Sequence, residues 1–154
     1  MPLWLKSKRR ADAIRQVRSP TNAVFLLEVL GFAVFVPLMM RMRISHIERV
    51  LARLGSRRPR PDAPDVVETV RRHVQLARAI GAPFIGSDCL TRGLTLCYFL
   101  RRAGVDVALS FGMAKIQGRF TGHCWLVKDG APFLESEDPL GLYTPVLSVP
   151  RTSA

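Results

Sequence analysis

The stretch Ser87–Glu135, SDCLTRGLTLCYFLRRAGVDVALSFGMAKIQGRFTGHCWLVKDGAPFLE, decides the fold. Its first third carries Leu90, Leu94, Cys97 and Leu100 at helical spacing, so these side chains should pack inward. Gly104 follows where a C-terminal cap is wanted, and the pattern predicts a helix from Ser87 or Asp88 to Ala103. The period then changes to two. Val105, Val107, Leu109, Phe111 and Met113 alternate with Asp106, Ala108, Ser110 and Gly112, which predicts a strand with one buried face. Lys115 to Gly118 reads as a turn and Arg119 to Val127 as a second strand. Asp129-Gly130 is a hairpin signal, with Ala131 to Glu135 as a third strand. A helix followed by an antiparallel meander makes the fold class α+β.

Upstream the pattern is helical. Ser19-Pro20 signals a helix start, and the helix should run to about residue 36, where Pro37 should kink or end it. Ile44 to Leu54 forms a second helix with Ile44, Ile47, Val50, Leu51 and Leu54 on one face, closed by Gly55. Residues 56–64 (Ser-Arg-Arg-Pro-Arg-Pro-Asp-Ala-Pro) have linker composition. Asp65 caps a helix to about Ile80 with an apolar stripe of Val66, Val67, Val70, Val74 and Ala77. A loop, Ala82 to Ser87, follows the Gly81 break. The expected organisation is an N-terminal helical hairpin region at 1–55, a linker at 56–64 and the main domain at 65–150.

The bulk properties narrow the function. A chain of 154 residues is long enough for one domain with a real core, and 48% hydrophobic residues argue against disorder. The net charge of +11 favours an anionic contact, or reflects an Arg-rich coding bias. The Arg-rich N-terminal half lacks interleaved aromatics, so no nucleic-acid stacking surface is indicated. Three cysteines without a CxxC pair make neither a disulfide framework nor a zinc site, so neither a metal nor a cofactor is expected. Basic residues Lys6, Lys8, Arg9 and Arg10 are not followed by a signal-peptide pattern, and a reducing cytoplasm is the default compartment. The apolar run Ala23–Met40 has the minimum length for a membrane span, but Glu28 and Pro37 interrupt it. It reads as a buried helix of the domain; the alternative is a helix lying on a membrane or a partner.

Cys89 falls in the first turn of its expected helix. There the helix dipole and free backbone N–H groups favour a thiolate and can hold an oxyanion. A buried apolar thiol would look the same taken alone. His123 changes the balance, because a Cys at a helix start followed by a His on a strand is a nucleophile–base order. Cys124 should point to the opposite face, into the core, and Cys97 belongs to the core stripe. Two hairpin registers are open for the third group. A two-residue Asp129-Gly130 loop pairs Lys128 with Ala131 and sets His123 across from Ser136. A three-residue loop, Lys128-Asp129-Gly130, sets it across from Glu135, and is preferred because it supplies a carboxylate. Asp129 and Asp138 are rivals for that role. His46 and His73 read as surface residues among charged neighbours.

These residues resemble a known family. Ser87-Asp88-Cys89-Leu90-Thr91-Arg92-Gly93-Leu94, then Leu100-Arg101-Arg102-Ala103-Gly104-Val105, Phe111-Gly112-Met113, Phe120-Thr121-Gly122-His123-Cys124-Trp125-Leu126-Val127 and Asp129-Gly130 are similar to the lasso-peptide maturation proteases. These are microcin-processing enzymes of the transglutaminase-like superfamily, and the likeness extends from about residue 20 to 140. The resemblance implies a transglutaminase-like, papain-like core and a Cys–His–acid triad that cleaves the leader from a ribosomally made precursor peptide. Cys89 and His123 carry over directly. The family's acid follows the His by about a dozen residues and is usually Asp, whereas Glu135 stands there here. The family also usually has Ala at the position of Cys124. Without a fused leader-recognition domain in these 154 residues, the resemblance leads to the expectation of a separate small leader-binding protein, with an ATP-dependent macrolactam synthetase acting next.

Overall fold

Helix and sheet meet at Gly93, and the chain is arranged around that contact. The computed structural model describes residues 20–39, 44–55, 64–81 and 89–150. These form α1 (Pro20–Met39), α2 (Ile44–Gly55), α3 (Pro64–Ile80), α4 (Cys89–Arg102), β1 (Ala108–Ile116), β2 (Arg119–Lys128), β3 (Ala131–Phe133), a 3-10 turn (Pro139–Gly141) and β4 (Thr144–Val149). The architecture is α+β: four helices and one antiparallel sheet in the order β3-β2-β1-β4. The basic segment 1–19, the linker residues 56–63 and the loop 82–88 lie outside the described residues.

Three local expectations are corrected. Pro37 does not end α1, which continues to Met39. A missing N–H three residues from the end removes only a last-turn hydrogen bond, while Val36 and Met39 are buried and hold that turn in place. β1 begins at Ala108 rather than Val105, and both faces of Ala108, Leu109 and Ser110 are buried. β4 pairs with β1 from Leu109↔Val149 to Met113↔Thr144, so an expected outer strand is a central one. β4 was hidden by Pro145 and Pro150, which are tolerated because this strand lies on the sheet edge. His73 is buried, against the surface reading: its Nδ1–H donates to Thr69 O at 2.7 Å and its ring meets Phe25 edge-on.

α4 is the centre of the core. Leu94, Leu96, Cys97 and Leu100 are buried with Leu109 and Leu126 of the sheet and Val29, Val36, Leu51 and Val74 of the other helices. Each fully buried aliphatic side chain contributes roughly 1.5–3 kcal/mol. The helix closes with the expected glycine: Gly104 has φ 89°, and Val105 N donates to Leu100 O at 2.9 Å. Arg101 staples the layers. Although buried, its guanidinium donates from Nε to Leu51 O (2.8 Å) and from Nη1 to Asp106 Oδ1 and Val107 O (both 2.7 Å).

Both hairpins turn in two residues. Gln117-Gly118 and Asp129-Gly130 have positive φ at both positions, the geometry that matches strand twist. Ile116 therefore pairs with Arg119, and Lys128 with Ala131. The three-residue loop preferred from sequence is thus overturned. β3 stops at Phe133, because Leu134 enters the left-handed region at φ 59°.

Candidate functional site

Cys89 opens α4 and is half-buried. Gly93, one turn later, lets the helix settle on the sheet. A Cβ there would stand 2.7 Å from Leu109 Cδ1 and 3.5 Å from Cys124 Sγ. Cys89 therefore sits about 6 Å along the helix axis from the point where α4 meets the sheet. Cys124 and Leu126 face α4 and are buried, as expected for the core.

Strand alternation turns His123 and Trp125 to the other face. There His123 meets two rings, Trp125 with centroids 6.0 Å apart and Tyr143 at 5.1 Å. Gly112, directly opposite His123 on β1, makes room for this cluster. A Cβ on it would fall 2.5 Å from Trp125 Cη2 and 3.0 Å from Thr144 O. A bulge between Phe111 and Gly112 in the β1–β4 pairing shifts register at the same place. Trp125 is 1% exposed, and its Nε1 is buried without a hydrogen-bond partner among the described residues.

Cys89 and His123 stand on elements packed against each other, but among the described residues no hydrogen bond joins them. Alternation along β2 carries the His123 side chain to the sheet face opposite the one that meets α4, so the structure does not bring the two side chains together. Glu135 is not bonded to His123. Its Oε1 accepts from Arg92 Nη1 at 2.8 Å, and Arg92 Nη2 also donates to Leu134 O. This largely buried pair ties the first turn of α4 to the end of β3. Asp129 pairs with Lys128 in its turn, six residues along β2 from His123 and so about 20 Å away. Asp138 caps the 3-10 turn, its Oδ1 accepting from Leu140 N at 3.0 Å.

The other thiols are set apart by their surroundings. Burial pushes the Cys97 thiol up to about 12, outweighing the opposite pull of Arg101. It stays protonated and cannot serve as a nucleophile at neutral pH. Among the described residues, no group of three or more His, Cys, Asp or Glu side chains is placed to hold a metal. A cavity of about 370 Å³ opens beside Phe25, Val70, Phe99 and Arg102, towards the opposite end of α4 from Cys89.

Sequence reasoning missed Arg92 and Tyr143 as neighbours of the site. Arg92 lies beside Cys89 in the quoted block, but its partner is 43 residues away. Tyr143 directly precedes the unforeseen β4.

Comparison with curated proteins found no match, and comparison with solved structures found none. A family model does match, over residues 27–148, and that span holds Cys89 at the start of α4, His123 on β2 and the sheet as far as Ser148. The chain belongs to the transglutaminase-like superfamily, whose members are in general cysteine peptidases and acyl transferases.

Proposed function

We propose that this protein is a cysteine peptidase that removes the leader from a ribosomally made lasso-peptide precursor. The observation that carries the reading is a half-buried Cys89 at the start of a helix that packs on the strand bearing His123, and the reaction requires the imidazole to reach the Cys89 end of that helix from the opposite face of the sheet. The His-x-Trp block and the Cys block, with their resemblance to maturation proteases, supply the substrate class. His123 takes the thiol proton, and the Cys89 sulfur attacks the scissile carbonyl. His123 then protonates the leaving amine, which frees the core peptide and leaves the leader as a thioester. Water, deprotonated by His123, attacks that thioester to release the leader carboxylate and restore the thiol. A separate small leader-binding protein presents the precursor, and an ATP-dependent macrolactam synthetase consumes the product.

Glu135 is the candidate third member, and its bond to Arg92 defines how its role is tested. If Glu135 orients the imidazole, Glu135→Gln lowers kcat by about 10²–10⁴ and changes the pH profile of cleavage. If it anchors the first turn of α4, Arg92→Ala and Glu135→Ala each cost as much as the double variant.

The direct experiment mixes purified protein, leader-binding partner and precursor. Leader release by the parent and its loss in Cys89→Ala support the assignment; unchanged cleavage by that variant overturns it. The superfamily's acyl-transfer chemistry favours a second reading, in which an amine resolves the thioester. Mass spectrometry separates the two, since an amine adduct in place of a hydrolysed leader identifies a transferase.

A further inference from the structure

We infer that the outer face of α1 docks on an anionic lipid bilayer, with the helix lying flat in the interface and still packed on its own domain. α1 is apolar on both sides. Its inner face buries Val29, Ala33 and Val36 against the core, and the outer face presents Val24, Leu27, Val34, Phe35 and Leu38, each about half exposed or more. These five recur at intervals of three, seven, one and three residues, so they line one stripe of a helix about 30 Å long. Gly31 lies on the same stripe, and a Cβ added to it would meet nothing within 4 Å.

Two observations select the occupant. First, the helix's sole ionisable side chain, Glu28, is neutralised by Arg102 at 2.8 Å and lies at the flank of the stripe. Nothing charged interrupts the face. Second, cations gather in the sequence at both ends of α1. Lys6, Lys8, Arg9, Arg10, Arg15 and Arg18 precede it with Asp12 as the one acid among them, and Arg41 and Arg43 follow it. An apolar helix face whose flanking sequence on both sides is cationic matches the acyl boundary and phosphate layer of an anionic leaflet. The same charge, part of a net +11, repels a second copy of the chain. By length and composition α1 would also suit a span. Spanning, however, would strip Val29, Ala33 and Val36 from the core and break the Glu28–Arg102 pair, so the interfacial position is the one that keeps the fold.

The test uses the full chain and vesicles of phosphatidylcholine alone or with one part phosphatidylglycerol to two of phosphatidylcholine. Binding is expected to the anionic vesicles and to fall by about tenfold or more in Leu27→Glu/Phe35→Glu. It should also weaken in high salt. Both substitutions lie on the exposed face, and an unchanged thermal melt shows that the variant is folded; should it melt early, Leu27→Gln/Phe35→Gln replaces it. Equal binding by parent and variant overturns the proposal, as does equal binding to neutral vesicles. A lipid-free dimer that the variant converts to monomer also overturns it, by assigning the face to a second copy. Precursor cleavage in solution is unaffected by these substitutions, so this test and that of the peptidase assignment fail separately.

Discussion

Helices α1 and α4 are both rich in apolar residues, yet nine of the fourteen residues of α4 are buried and only four of the twenty in α1. The difference lies in what surrounds them. α4 has the sheet on one side and α1, α2 and α3 on others, so every face finds a partner. α1 packs inward on α3 and α4, and its other side ends at solvent. Apolar composition therefore states that a helix needs cover, and the tertiary arrangement states how much of it the protein itself supplies.

Changes on α4 should be costly and the same changes on α1 nearly free. The largest effect is expected at Arg101. Arg101→Met removes the guanidinium hydrogen bonds to Leu51 O, Val107 O and Asp106 Oδ1, and urea unfolding should show a loss of about 2–4 kcal/mol. A loss under about 1 kcal/mol would remove Arg101 as the staple between α2, α4 and β1.

Glycine sharpens the contrast, because one substitution should act with opposite sign. Gly93→Ala drives a methyl into Leu109 and should lower stability by about 1–2 kcal/mol. Gly31→Ala on α1 meets open space and should raise it by about 0.5–1 kcal/mol through helix propensity. Matching signs in paired thermal melts would mean that the two helices are covered alike.

Alkaline pH probes the interior of α4. The unfolded Cys97 thiol ionises near 9.0, whereas burial holds the folded one up to about 12. The folded state thus keeps a proton that the unfolded state loses. This contribution is intact below pH 9 and declines as pH rises towards 12, by at most about 1.4 kcal/mol per pH unit. Under reducing conditions Cys97→Ala should lose less stability between neutral and alkaline pH than the parent; parallel curves would refute the linkage. The smallest effect is expected on the outside of α1, where Leu27→Gln should shift unfolding by no more than about 0.5 kcal/mol. A larger loss would show that this face is already covered in solution.

The elements readable from sequence are those whose signals are local. The helical spacing of Leu90, Leu94, Cys97 and Leu100, the Gly104 cap and the two glycine-containing turns all lie within a few residues of what they specify. The same holds for the candidate site: Cys89 at a helix start and His123 on a strand were legible, and so was the inward direction of Cys124. The third residue was not. The three-residue hairpin loop that would set Glu135 across from His123 does not form, because the backbone of Asp129-Gly130 adopts the two-residue turn with positive φ at both residues. Glu135 then answers to Arg92, a partner 43 residues earlier, and no pattern local to either residue announces that pair.

The amino-acid sequence by itself determined the helices, the two hairpins and the identities of the nucleophile and base candidates, since hydrophobic period and turn chemistry act over a few residues. Tertiary structure alone decided that β4 makes β1 central, that His73 is buried, that rings of Trp125 and Tyr143 frame His123, and that α1 leaves an apolar face outside. Those outcomes depend on which distant surfaces meet, and contacts between segments far apart in the chain leave no period or motif in either one.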